Sequence, residues 1–566
     1  MRLQIDNSIV LGILFVLFTC RVGLAADRPN VILIMCDDLN DYIEGLGGHP
    51  QARTPNIARL AESGVTFAQA HCNIPICGPS RASMFTGVYP HHSGCYGFVR
   101  WDGYDVLTSS RTMQDHFREN GYWTLGTGKL MHHMVRKEWK NYGNRADYGP
   151  WVYDGENKLA HPDVPAPYRE IGSVDGSFGP LENLVGRTSS DGKPLQWWTG
   201  SWANQRPLKF YESTKLSNST TPAKRDPTAD ELNGQWAVDQ INLLADRPGR
   251  SPFFLGVGFI RPHTPLVVPQ KYFDMYPLDS IELPVIRPGD VEDTFAHTIR
   301  AIPEGADGPR SEDMGTRLFK TLVESYDSQD EALRRFMQAY LASVTSVDDQ
   351  IGRILDAVED SPFRDNTIIV LTSDHGWGMG EKNYLYKNSL WQESTRVPLI
   401  IRAPEMAESG GRSDQPVSLI DIYPTLIDLC GLTNDTVKDD AGHPLDGHSL
   451  KPLLKDPERG EWDGPESALT ALYKWRMKYD PSQESYSLRA KDWRYIRYEN
   501  GKEELYFAKE DPYEWKNLAM DPQHAKTLAL YRQELKSRIP AAGTKIPPQP
   551  PFQPKETAIK RPAVKR

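Results

Sequence analysis

Two pairs of metal-binding side chains follow apolar runs in this chain. Val31-Ile32-Leu33-Ile34-Met35 runs into Asp37-Asp38, and Thr367-Ile368-Ile369-Val370-Leu371 runs into Asp374-His375. As buried parallel strands, those runs would place the four side chains at the carboxyl edge of a sheet, where open α/β sheets bind ligands. Carboxylates gathered there repel one another unless a cation compensates, so a divalent metal is the economical reading. Either pair alone reads equally as a turn or a helix cap, since Asp is favoured in both. A third feature is Cys77-Gly78-Pro79-Ser80-Arg81, followed by Ala82-Ser83-Met84-Phe85-Thr86-Gly87. It puts Cys77 at the start of a helix, whose positive end favours an anion, and points Arg81 toward the same group. An isolated cysteine so placed is ordinarily an inert buried thiol. Basic residues follow other short runs: Lys129 and His132 after Tyr122–Leu125, and His263 after Phe253–Val257. Each alone is more often solvated or capping; recurrence at strand ends is the signal. His91 and His92 fit no role in this set.

Positioning such residues takes a sheet with helices around it. Apolar runs at Val31–Met35, Phe253–Val257, Thr367–Leu371 and Leu399–Ile401 alternate with segments of helical period, an α/β pattern. Thr54-Pro55 predicts a helix start with a capping hydroxyl and a first-turn proline. Leu333, Phe336, Met337, Tyr340, Leu341, Val344, Val347, Ile351, Ile354 and Leu355 predict a long helix with one apolar face. Between about Lys137 and Pro227, and again from Pro277 to Asp327, the chain lacks a clear period; long irregular stretches of this kind wall substrate sites. Trp197 and Trp198 read either as sugar-stacking rings or as packing beneath a loop. From about Asp463 the texture becomes strand-like, at Trp493–Tyr498 and Glu504–Phe507, and then helical through Leu528, Tyr531 and Leu535, a small α+β domain. The expected division is 1–25 signal peptide, 26–462 catalytic domain, 463–540 C-terminal subdomain and 541–566 flexible tail.

With 566 residues the chain exceeds one ordinary core of about 100 to 200 residues. Its 39% hydrophobic and 25% charged residues are those of a soluble globular protein. A net charge of -10 argues against nucleic acid as a partner, so an anionic substrate needs a local cluster of Lys, Arg and His. Arg2, the apolar run Ile9–Phe18 and the small residues Gly23, Ala25 and Ala26 form the three-part pattern of a secretory signal, which predicts export. The run is short for a stable membrane span, and no later segment comes closer. Thr19 ahead of Cys20 argues against lipoprotein processing. Removing Cys20 leaves Cys36, Cys72, Cys77, Cys95 and Cys430, too sparse a set for a disulfide framework, with no Cys-x-x-Cys for a zinc-thiolate site.

Cys77-x-Pro79-Ser80-Arg81 is similar to the signature of the sulfatase family, and the chain resembles that family at several further places. The resemblance implies an alkaline phosphatase-like mixed sheet sandwiched by helices. It also implies a metal shell of Asp37, Asp38, Cys77, Asp374 and His375, calcium as the ion, and enzymatic oxidation of Cys77 to formylglycine by a maturation enzyme. His375 stands where Asn is commoner, which departs from an all-oxygen calcium shell. The segments Cys36–Asn40, Ser373–Trp377 and Arg261-Pro262-His263-Thr264-Pro265 look most like the iduronate-2-sulfatase branch. Gly128-Lys129 with His132 resembles a Gly-Lys-x-x-His element, Arg261-Pro262-His263 resembles the leaving-group histidine, and Lys387, twelve positions after His375, matches a later family lysine. Glu504-Leu505-Tyr506 and Asp511-Pro512-x-Glu514-x-x-Asn517-Leu518 match a C-terminal phrase whose implied role is docking the small domain.

The chemistry implied is release of inorganic sulfate from a sulfated oligo- or polysaccharide, in this branch a uronic acid 2-O-sulfate or related residue. An aldehyde hydrate carries two hydroxyls on one carbon: one attacks sulfur and expels the alcohol, and proton loss from the other releases sulfate and restores the aldehyde. Lys129, His263 and Lys387 would contact the sulfate oxygens, and His132 would assist the elimination. Two rivals stay open on sequence: a phosphonate or phosphate ester hydrolase using the same aldehyde, and a noncatalytic sulfated-glycan binding protein.

Overall fold

Strand β1 (Asn30–Asp37) is buried along its whole length, and its side chains divide between two cores. Ile32, Ile34 and Cys36 enter one, while Val31, Leu33 and Met35 enter the other. That division explains an apolar run without alternation, because a strand covered on both faces needs nonpolar residues at every position. In the computed structural model, the described residues are 28–133, 138–145, 148–199, 206–210, 225–246, 251–294, 313–473 and 480–546. The expected signal segment and the tail from 547 onward lie outside them.

β1 lies in a mixed sheet with β2 (Val65–Phe67), β3 (Trp123–Gly128), β4 (Asn141–Arg145), β5 (Phe253–Pro262), β6 (Thr367–Ser373), β7 (Leu399–Arg402) and β8 (Gly411–Ser413). Their order is β8-β2-β7-β6-β1-β5-β3-β4. β7 runs antiparallel to both its neighbours, and the other pairings are parallel. Consequently β6, β1, β5 and β3 lie side by side with their carboxyl ends on one edge. The helices α1 (Pro55–Glu62), α4 (Ala229–Ala245) and α5 (Gln329–Glu359) cover one face. α2 (Cys77–Thr86), α3 (Met113–Glu119) and α6 (Ile422–Cys430) cover the other. The apolar stripe of α5 is buried throughout, each large side chain contributing about 1.5 to 3 kcal/mol.

The helix Met314–Glu324 lies inside the second stretch read as irregular, and other details differ from the sequence expectations too. Thr54 does not cap α1: its hydroxyl accepts from the Glu44 N–H at 2.8 Å. The amides of Asn56 and Ile57 instead donate to the Asp348 carboxylate of α5, at 3.2 and 2.8 Å. A carboxylate is the stronger acceptor for exposed helix-start donors, and only packing brings this one there. The stretch read as irregular also contains a small antiparallel sheet of Trp151–Tyr153, Lys158–Leu159, Gln196–Thr199 and Arg206–Pro207. Trp197 is buried there among Val152, Leu181 and Leu195, which settles it as packing, while Trp198 lies against Tyr153.

His161, beneath this wall, is fully buried in one proton state. Its Nε2 lies 3.1 Å from the Pro180 carbonyl, which can only accept, and its Nδ1 accepts from the Asp163 N–H at 3.2 Å. A second proton would face that donor, and burial lowers the pKa to about 4. For a base with a lowered folded value, stability is complete above the unfolded value of about 6.5 and falls as pH drops toward 4. Denaturant melts should show about 3 kcal/mol lost across that window through this group. A His161→Gln variant should lack that component of the acid dependence.

The C-terminal part is an antiparallel sheet of β9 (Ser467–Ala471), β10 (Tyr486–Ala490), β11 (Trp493–Arg497) and β12 (Glu503–Phe507) with helix α7 (Ala525–Arg538). Its core includes Ile74 and Ile76 just ahead of α2 and Tyr96 beyond its end, so the small sheet supports the Cys77 segment. Glu514 is buried, pairs with Arg494 of β11 and accepts from the Gln392 N–H at 3.3 Å. Lys382, buried against Asp290 at 3.0 Å, donates to the Glu514 carbonyl. Breaking a buried pair strands a charge, so Glu514→Ala should cost about 3 to 5 kcal/mol in thermal or urea unfolding.

Candidate active site

The four adjacent strands β6, β1, β5 and β3 end on Ser373, Asp37, Pro262 and Gly128. The next residues are therefore Asp374-His375, Asp38, His263 and Lys129, delivered to one edge by parallel register. Asp38 takes a left-handed backbone with φ of 64°. Tyr340 of α5 holds this turn: its hydroxyl donates to the Asp38 carbonyl at 2.7 Å and accepts from the Asn40 N–H at 3.0 Å. Leu39 N–H donates to Ser373 Oγ at 2.9 Å, tying β1 to β6.

Cys77 is the first residue of α2, and its side chain is buried. Ser80 Oγ donates to the Asp374 carbonyl at 2.6 Å, docking the first turn of α2 against the end of β6. Arg81 interacts electrostatically with the Cys77 side chain and also holds strand ends together. Its Nε donates to Asp374 Oδ2 at 2.7 Å, Nη2 lies 3.3 Å from Asp37 Oδ1, and Nη1 donates to the carbonyls of Lys129 and Leu130. Planar, five-donor geometry makes arginine suited to bridging several acceptors at once.

Lys387 Nζ donates to Asp38 at 2.9 Å and lies 3.7 Å from Cys77 Sγ; Lys129 Nζ donates to Asp37 Oδ2. His263 Nδ1 donates to the Thr264 carbonyl at 2.6 Å, leaving Nε2 facing Asp38 at 3.7 Å. His375 Nδ1 donates to the Gly376 carbonyl at 3.0 Å, leaving a buried Nε2 with no hydrogen-bond partner. His132 lies against Phe98, has an unpartnered Nδ1 and interacts with the Cys77 thiol. All the sequence-nominated residues thus meet in one place, with Arg81 beneath them.

The charges explain the titration directions. Burial alone would raise the Cys77 pKa, but the ammonium groups of Lys129 and Lys387 hold it well below the ordinary thiol value. Burial raises the Asp374 carboxyl to about 6 against the opposing pull of Arg81. Burial disfavours a charged His375, yet Asp374, Cys77 and Asp38 together outweigh it and raise the imidazole.

The donor set fits a divalent cation. One donor atom from each of Asp37, Cys77, Asp374 and His375 lies within 4.8 Å of the others, and Asp37 with Asp38 and His263 forms a second such group. Within the first group, buried Asp37 Oδ1 and His375 Nε2 accept no hydrogen bond. A cation would satisfy both.

Some residues at the centre escaped the sequence reading. The Lys129 ammonium lies 4.7 Å from the Tyr148 ring centroid, and that ring stands 5.0 Å from His263. Asp175 accepts from Thr264 Oγ1 at 2.7 Å, next to His263. Both come from the stretch without a period; only its general role as a wall was legible.

A family model described as "Sulfatase" matches residues 29–432. The chain belongs to the sulfatase family. A second model, "N-sulphoglucosamine sulphohydrolase, C-terminal", matches residues 380–540 of this sulfatase. A "Sulfatase" of Formosa agariphila is 32% identical over 506 residues, covering 88% of this chain and 84% of that protein. The "Iduronate 2-sulfatase" of Mus musculus is 28% identical, with 76% and 74% covered. The fold is shared with a solved structure holding D-glucosamine-2-N,6-O-disulfate, at TM-score 0.60, 22% identity, and 90% and 98% coverage. It is shared too with the phosphonate monoester hydrolase of Agrobacterium radiobacter, at TM-score 0.59, 22% identity, and 90% and 95% coverage. The sulfatase is a sulfuric ester hydrolase with an alkaline phosphatase-like fold. Among the described residues no helix is long and apolar enough to cross a membrane.

Proposed function

We propose that this sulfatase removes sulfate from a carbohydrate, a uronic acid 2-O-sulfate or related polysaccharide residue, using Cys77 matured to formylglycine beside a calcium ion. The observation that carries the reading is Cys77 at the start of α2, 3.7 Å from Lys387 and grouped with Asp37, Asp374 and His375. Similarity to iduronate 2-sulfatases over three quarters of the chain supports the substrate class. Export after removal of a signal at 1–25 belongs to the same reading, since the maturation enzyme and a polysaccharide substrate both suit a secretory route.

Asp37, Asp38, Asp374 and His375 would hold the cation beside the Cys77 side chain; when bound, it supplies Lewis acidity to an oxygen nucleophile. The aldehyde hydrate supplies that nucleophile and, after transfer, the second hydroxyl whose deprotonation expels sulfate. Lys129 and Lys387, both buried, orient the sulfate and offset charge developing on its oxygens. With its Nδ1–H committed to the Thr264 carbonyl, His263 acts as the imidazolium, whose second proton on Nε2, on the side of Asp38, passes to the leaving alcohol oxygen. His132, which interacts with the Cys77 side chain, accepts the proton lost in the elimination.

Sulfate release across a panel of sulfated oligosaccharides, with aryl sulfate and aryl phosphate esters in parallel, tests the reading. Turnover on 2-O-sulfated uronic acids is expected to dominate. Much faster phosphate ester turnover would replace it with the phosphonate or phosphate hydrolase reading.

A further inference from the structure

The histidines left without a role by the catalytic chemistry lie at the other end of α2. That helix ends at Gly87, and the short turn Pro90–Ser93 carries His91 and His92. Asp446 is fastened to the same place from far along the chain. Its N–H donates to the Gly87 carbonyl at 2.9 Å, and its carboxylate accepts from the Tyr89 N–H at 2.8 Å. His443 is fixed in turn by its N–H on Ser110 Oγ at 3.1 Å.

These anchors bring two imidazoles and a carboxylate together. The rings of His92 and His443 stack with centroids 4.5 Å apart, and His92 Nδ1 lies 2.9 Å from the Asp446 carboxylate. One donor atom from each of the three residues lies within 4.8 Å of the others. His443 Nδ1 is 2.7 Å from the Pro444 carbonyl, which can only accept, so Nε2 keeps its lone pair. A backbone carbonyl behind a ligating imidazole is the usual support for a bound metal. The cluster borders a cavity of 370 Å³ that is also lined by His91, His448 and Asp463. His91 supplies a separate pointer to a ligand. It is 1% exposed, its ring meets His92 edge-on at 4.5 Å, and its Nδ1 has no hydrogen-bond partner.

We infer that His92, His443 and Asp446 form a second metal site, separate from the catalytic centre, which takes a borderline divalent ion of the zinc class. Two nitrogens and one oxygen suit zinc over calcium, which prefers six to eight oxygens. Three protein ligands leave a position for water from the cavity. Donors round a zinc ion stand about 3.4 Å apart, so closing the site takes about an ångström of side-chain movement. His92 and His443 have that freedom, with side chains 29% and 31% exposed. The bound ion would staple the end of α2 to the 443–446 loop, closing contacts made across more than 300 residues of chain.

Calorimetric titration of the full calcium-loaded chain with zinc chloride tests the site in wild type, His443→Ala and His92→Ala. Both replaced side chains are partly exposed, so the variants retain the fold; His443→Gln, closer in shape, is a second check. The expected result is a binding event in wild type that weakens at least tenfold in each variant, with zinc raising the melting temperature of wild type alone. No binding event, or equal zinc affinity in wild type and all three variants, would overturn the site; equal affinity would assign the zinc to another place, such as the Cys77 centre.

Discussion

Cys77→Ala is expected to lower kcat/KM for sulfate ester hydrolysis by about 10⁵-fold, the scale seen when an enzyme loses its nucleophile. The measurement is turnover on an aryl sulfate, alongside circular dichroism to confirm folding. A side chain of this size at the first position of α2 leaves little packing to lose, so stability should change by about 1 to 2 kcal/mol. Cys77→Ser separates a second question. A hydroxyl can attack sulfur but cannot eliminate sulfate by carbon–oxygen cleavage, so the Cys77→Ser variant is expected to give at most one turnover and trap sulfate on the protein. Intact-mass spectrometry of the wild type reports the maturation directly: an active preparation retaining the Cys77 sulfur would remove formylglycine from the mechanism.

The next largest effect is expected at the carboxylates. Asp37→Asn and Asp374→Asn each remove an anionic donor from the buried group, and bound metal, measured by elemental analysis, should fall with activity by about 10³-fold or more. Unchanged metal content would exclude the residue from the shell. Both variants should also lose stability. Asp374 carries the Nε contact of Arg81 at 2.7 Å and Asp37 pairs with the Lys129 ammonium, so either loss leaves a buried cation undercompensated, costing about 3 to 5 kcal/mol. pH supplies an independent check. In the metal-free protein Asp374 protonates at about 6, raised by burial. A cation must displace that proton at lower pH, so metal affinity should fall as pH drops below 6, by about tenfold per pH unit while one proton competes.

The candidate site residues were legible in the sequence because each sits at a fixed short offset from an element with a strong local signal. Asp37, Lys129, His263 and Asp374 all follow strand runs, and parallel strands necessarily bring such positions to one edge. Cys77 carries its helix and the sulfatase-like signature within the same few residues. Burial on both faces made the strands readable as uninterrupted apolar runs, and the stripe on α5 made the long helix readable in the same way.

Other arrangements depended on packing between segments distant in the chain, and no local period encodes them. For Arg81 the sequence offered only the Cys77 group as a partner, and the fold adds Asp374, Asp37 and two carbonyls around it. Thr54 lost the capping role to Asp348 because α5 packs across the start of α1. Tyr148 and Asp175 lie in a stretch whose backbone follows its neighbours more than its own composition. His92 meets His443 and Asp446 only because the loop beyond α6 folds back onto the end of α2. A sequence motif carries chemistry and local conformation; the register and packing that bring distant side chains within bonding range arise from the whole core at once.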